Sequence, residues 1–141
     1  MRMLRELARC SGAERGMLVR AAIVVPVVRL ALSLLPYRIV HRAVVRAAGR
    51  GRRADGVSAA VVIRGVRAVA ARVPAATCLT QALSAAVLLA RYGHEATLRV
   101  GVAKDDAGRL RAHAWLECGG ETVLGAPAPG TFHPMPPLVL S

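Results

Sequence analysis

The chain has 141 residues, of which 55 % are hydrophobic, 20 % charged and only 3 % aromatic. That balance excludes a disordered, charge-rich chain, and the length fits a single domain, residues 1–141. One Trp, two Tyr and one Phe are too few for an aromatic platform that stacks single-stranded nucleic acid. Cys10, Cys78 and Cys118 form no CxxC motif and cannot all pair with one another. A disulfide-stapled secreted scaffold is therefore excluded, and a reducing, cytoplasmic setting fits.

The formal net charge of +12 lies wholly in the first half. Residues 1–72 hold 15 arginines against Glu6, Glu14 and Asp55; residues 73–141 balance four arginines and Lys104 against five acids. No base-reading motif accompanies the arginines, so they do not point to nucleic acid. The split separates an arginine-rich helical part, 1–72, from a second part, 73–141, that carries the chemistry.

Residues 3–10 fit a short helix, and 14–34 a longer one bent at Pro26, whose ring does not sit in a straight helix interior. Within the latter, residues 21–35 are the most apolar run. At 15 residues, with Pro26 and Arg29 inside, the run is short and costly for a membrane span and lacks the cleavage site of a signal peptide. It reads as a kinked core helix, or as a helix lying on an anionic membrane surface. Pro36 restarts a helix to about residue 48. The stretch from Gly49 to Gly56 is a Gly-rich, polar break, and 57–72 is again helical, closed by Val73-Pro74.

The next helix, 78–92, carries one continuous apolar stripe of Leu79, Ala82, Leu83, Ala86, Val87 and Ala90. Thr77 can cap it, and Gly93 stands where helices exit through a left-handed residue. The period then falls from 3.6 to 2. Strands are expected at 96–102, 110–118 and 122–124, joined by turns at 104–108 and Gly119-Gly120. The fold class is therefore α+β, with N-terminal helices, then a central helix packed on a small antiparallel sheet. The tail, 126–141, holds five of the eight prolines and reads as irregular, with Phe132, Met135, Leu138 and Leu140 available to dock it.

Two residues stand out chemically. Cys78 lies at a helix N-terminus, where unpaired N–H groups and the helix dipole favour a thiolate. His113 lies on the second strand, where alternation puts it on one face with Trp115 and Glu117, and Ala112, Ala114, Leu116 and Cys118 on the other. A cysteine at a helix start followed by a histidine on a later strand is the chain order of a nucleophile–base pair. His41, His94 and His133 show no metal-ligand spacing, and no phosphate-binding glycine loop is present.

The segments Cys78-Leu79-Thr80-Gln81-Ala82-Leu83, Tyr92 to Val102, and Ala112-His113-Ala114-Trp115-Leu116-Glu117 with Gly119-Gly120 resemble the lasso-peptide leader peptidases. These are the stand-alone peptidase half of the lasso B maturation protein, with a transglutaminase-like, papain-type core. The resemblance covers about residues 74–125, with weaker likeness in the arginine-rich helices, Leu35-Pro36-Tyr37 and the Phe132 to Pro137 tail. It implies that Cys78 is the nucleophile and His113 the base, with no cofactor. It implies as partners a precursor leader peptide, a separate leader-binding protein and an ATP-dependent cyclase acting next.

The family's third member is an acid about twelve residues after the histidine, and here that position is Gly125. Glu117 shares the face of His113, but four residues along a strand is about 13 Å. Glu121 is at the turn, and Asp105 and Asp106 are at the opposite hairpin end. The expectation is a Cys–His dyad whose orienting group is missing, is a backbone carbonyl, or comes from a partner. The alternatives are transglutaminase-type acyl transfer to an amine, and a non-catalytic basic protein that binds a membrane or a partner.

Overall fold

The computed structural model describes residues 11–50 and 56–125, and the backbone of 133–134 and 138–140. The helix expected at 3–10, residues 51–55 of the expected loop, Phe132 and Met135 lie outside the described residues.

The first helix, α1, spans Gly12–Leu34. Its start is set by a capping box that the spacing Ser11-x-x-Glu14 encodes. The Ser11 hydroxyl accepts from the Glu14 N–H while the Glu14 carboxylate accepts from the Ser11 N–H. This places the start two residues earlier than apolar periodicity suggests. The helix runs through Pro26 without interruption. Helix α2, Tyr37–Gly49, comes next with Pro36 as its cap and buries Val40, Val44 and Ala48. Helix α3, Ala59–Ala70, begins where the Ser58 hydroxyl accepts from the Val61 N–H. Gly65 lets α3 approach α1, because a Cβ there would stand 2.5 Å from Met17 Cε.

Helix α4, Cys78–Arg91, packs on α1, α2 and α3 and also on the sheet. It is buried well beyond the expected stripe: Ala82 to Ala86, Leu88 and Leu89 are all buried. The small residues Ala82, Ser84, Ala85 and Ala86 allow close approach on several sides. Ser84, fully buried, donates to the Thr80 carbonyl at 2.7 Å, so its hydroxyl is satisfied. The helix leaves through Gly93 at φ +82°. There the His94 N–H donates to Leu89 C=O (2.9 Å) and the Gly93 N–H to Ala90 C=O (3.1 Å), the paired bonds of a Schellman motif.

The chain then builds an antiparallel sheet from β1 (Ala96–Lys104), β2 (Leu110–Cys118) and β3 (Glu121–Leu124) in the order β3-β2-β1. The β1–β2 register pairs Gly101 with His113 and Arg99 with Trp115. The tail corrects the irregular reading. Residues His133–Pro134 (β4) and Leu138–Leu140 (β5) pair antiparallel with the outer edge of β1, at Gly101–Val102 and Ala96–Leu98. These pairings cover an edge that β1 would otherwise leave open. The architecture is α+β, and one buried cluster joins Met17, Val44, Val66, Leu83, Leu98 and Leu116 from both halves of the chain.

Candidate active site

Cys78 is the first residue of α4 and is half-buried. The cap fixes how the chain enters the helix: the Thr77 hydroxyl accepts from the Thr80 N–H at 3.3 Å, and the Thr77 carbonyl accepts from the Gln81 N–H at 3.1 Å. The N–H groups of Cys78 and Leu79 therefore stand outside the helix ladder, at its positive end. The preceding turn is strained. Ala75 has φ +56°, the single non-glycine residue with positive φ among the described residues. Such a conformation in a residue with a Cβ costs about 1–2 kcal/mol. An alanine carries no sequence signal for it. Both Cys78 and Cys118 are free thiols.

His113 stands in β2, half-buried, between buried Ala114 and exposed Ala112. Because α4 packs on β2, the helix that begins at Cys78 and the strand that carries His113 belong to adjoining layers. His113 Nε2 lies 2.6 Å from the Gly125 carbonyl oxygen. A carbonyl can only accept, so Nε2 carries the hydrogen, and the basic lone pair of the neutral ring is on Nδ1. The Trp115 ring is stacked beside the imidazole, with centroids 6.3 Å apart and planes at 22°. On the other side of the strand pair, His113 faces Gly101, which has no side chain to crowd it.

Gly125 is shaped for this contact by local geometry. A β-bulge interrupts the β2–β3 pairing: Leu116 pairs with Leu124, but Glu117 pairs with Thr122, leaving Val123 as the extra residue. A bulge bends its strand and re-aims the residues beyond it. Gly125 then adopts φ +72°, and a Cβ there would lie 2.8 Å from the Ala114 carbonyl oxygen. The position at which the resembling family has an acid thus has no room for a side chain. It offers its carbonyl instead, which is one of the three alternatives that the sequence left open.

The acids near this face have other engagements. Glu117 Oε1 accepts from Trp115 Nε1 at 3.2 Å, and Oε2 accepts from Arg99 Nε at 3.2 Å. Asp105 accepts from the N–H groups of Ala107 and Arg109 and from Arg109 Nε, which holds its carboxyl below the usual range. Asp106 and Glu121 are exposed. The other histidines are scattered. His94 Nε2 bonds the Val57 carbonyl at 2.7 Å, tying the α4 exit to the approach to α3. His41 lies against Tyr37 on α2, and His133 lies in β4. Among the described residues no three His, Cys, Asp or Glu side chains converge as a metal site.

A sequence model of the transglutaminase-like superfamily matches residues 21–136, and the chain belongs to that superfamily. The match starts inside α1 and ends in the tail, so it takes in both the arginine-rich helices and the sheet. No curated protein and no solved structure matches the chain.

Proposed function

We propose that this transglutaminase-like protein is a cysteine peptidase that removes the leader from a lasso-peptide precursor, with Cys78 as nucleophile and His113 as base. One observation carries the reading. At the position of the family's acid, the Gly125 carbonyl accepts from His113 Nε2, which holds the histidine in one tautomer. Membership of the superfamily and the motif run from Cys78 to Gly120 support the reaction class, a cysteine peptidase or acyltransferase.

In this mechanism His113 Nδ1 takes the proton of the Cys78 thiol as sulfur attacks the scissile carbonyl carbon. The N–H groups at the start of α4 stabilise the oxyanion. The imidazolium then protonates the leaving amine, the C–N bond breaks and a thioester remains. Water, deprotonated by His113, attacks the thioester and frees the acid and the Cys78 thiol. A carbonyl carries only a partial charge, so it stabilises the imidazolium less than a carboxylate would. The expected consequence is slow turnover by the isolated chain. The partners in this reading are the leader peptide, a separate leader-binding protein that delivers it, and an ATP-dependent cyclase that takes the product. The setting is cytoplasmic.

The test is incubation with a lasso precursor and its leader-binding protein, wild type beside Cys78→Ala, read by mass spectrometry. Two fragments from the wild type alone support the peptidase. Loss of ammonia in the presence of an added primary amine assigns the chain to acyl transfer instead. Equal cleavage by Cys78→Ala removes this cysteine from the chemistry. No turnover with either enzyme leaves the basic, non-catalytic alternative.

A further inference from the structure

Helix α1 has two apolar faces. Met17, Ala21, Val25 and Val28 are buried, and the helix packs on α3 and α4. Val19, Ile23, Val27, Leu30 and Leu34 recur at intervals of three and four on the opposite face, each 59–71 % exposed. Such a spacing makes one continuous stripe. A groove between α1 and α2 extends it, with Val27 and Ala31 on one wall, Ile39 and Ala43 on the other, and Val87 of α4 at its floor. A contiguous exposed aliphatic surface of this kind marks an interaction site. It lies on the helical side of the molecule, away from the strand that carries His113.

The charge around it selects the partner. From Arg15 to Ala54 the chain has nine arginines and no acid. On α2, exposed Arg38, Arg42 and Arg46 each precede Ile39, Ala43 and Ala47 by one residue. They therefore form the next row around the helix, beside the groove. None of the three makes an ion pair among the described residues. A second copy is a poor occupant, since it would bring two such unneutralised rows together. The stripe and groove are purely aliphatic, without hydroxyl, amide or aromatic groups to orient a peptide. Aliphatic residues beside snorkelling arginines match the acyl chains and phosphates of a bilayer surface.

We infer that the α1–α2 face docks the protein, lying flat, on an anionic lipid bilayer. α1 is long and apolar enough to cross a membrane. To do so it would have to abandon the contacts of Met17, Ala21 and Val25 with the core. Lying on the surface keeps those contacts and immerses only the outer stripe. The inference does not depend on the peptidase reading, because its test reads binding alone.

The full chain is sedimented with vesicles of phosphatidylcholine, or of phosphatidylcholine with phosphatidylglycerol. Binding to the anionic vesicles is expected, weakening with salt and lost on pure phosphatidylcholine. Arg38→Gln, Arg42→Gln and Arg46→Gln combined should weaken it roughly a hundredfold. Leu30→Glu should weaken it while the far-UV circular dichroism and melting temperature stay unchanged. If Leu30→Glu fails to fold, the arginine triple variant and exposed Val19→Ser carry the same test. No binding to anionic vesicles, or binding that ignores lipid charge, overturns the inference. So does a concentration-dependent dimer, or tight capture of an acidic protein through the same stripe without vesicle binding.

Discussion

Helices α1 and α4 are both aliphatic around most of their circumference, yet only α4 is enclosed. α4 packs on all three other described helices and on the sheet, and its Leu83, Leu88 and Leu89 are fully buried. α1 lies on the outside and hides one face only. Apolar residues therefore have two different meanings in this chain. In α4 they are explained by the fold. On the outer face of α1 they are not, and beside them lie arginines with no ion-pair partner among the described residues. The charge shows the same division. The neutral half pairs Arg99 with Glu117 and Arg109 with Asp105, whereas Arg38, Arg42 and Arg46 of the helical half have no ion-pair partner among the described residues.

Two leucine truncations put the comparison at risk most directly. Leu83→Ala leaves a cavity at the centre of the molecule and should cost about 3 kcal/mol. Leu30→Ala, at a site 59 % exposed, should change stability by less than about 0.5 kcal/mol. Urea denaturation of both variants checks the pair. Similar losses would mean that the outer face of α1 is covered within the protein in solution.

A smaller effect is expected at Gly125. In Gly125→Ala the new methyl meets the Ala114 carbonyl at a φ that disfavours it, and about 2 kcal/mol of stability should be lost. Under the proposed peptidase function, cleavage should fall by more than the unfolded fraction accounts for, because the carbonyl that orients His113 moves. Gly125→Asp should behave in the same way and not restore a carboxylate partner, since no path exists for its Cβ. Faster cleavage by Gly125→Asp would show that the sheet yields and that the missing acid is the limiting feature.

Much of the framework was legible because its signals are local. Thr77 and Gly93 bracket α4 through one hydroxyl and one left-handed residue, and alternation from Leu110 to Cys118 marks β2. The places of Cys78 at the start of α4 and of His113 within β2 follow from these local signals. The failures are non-local. The tail pairs with β1 through backbone bonds to an edge more than thirty residues away in sequence, and its prolines gave the opposite hint. The bulge at Val123 precedes the Gly125 carbonyl that meets His113, and the room at Gly125 depends on where Ala114 lies across the sheet. Periodicity alone did not distinguish the buried stripe of α1 from its exposed one, since both consist of aliphatic residues at helical spacing.

The smallest expected effect tests the internal neutrality of the sheet half. The Asp105 carboxyl is held below its usual value chiefly by the Arg109 N–H, helped by the Arg109 side chain, the Ala107 N–H and the charge of Arg111. Its folded-state pKa is therefore depressed. The stabilisation it gives is present above the unfolded value, about 4, and is lost as pH falls through the folded value. Asp105→Asn keeps an oxygen that can accept from both N–H groups but removes the charge. The variant should melt slightly below wild type at pH 7, and the gap should close as pH drops below about 4. Arg42→Gln, on the helical side, replaces a charge with no described partner, so any shift in its melting temperature should show no such closure. A pH-independent gap for Asp105→Asn would mean that hydrogen bonding alone shapes the β1–β2 turn, and the contrast between a charge-paired sheet and an unpaired helical face would then rest on Arg99 and Glu117.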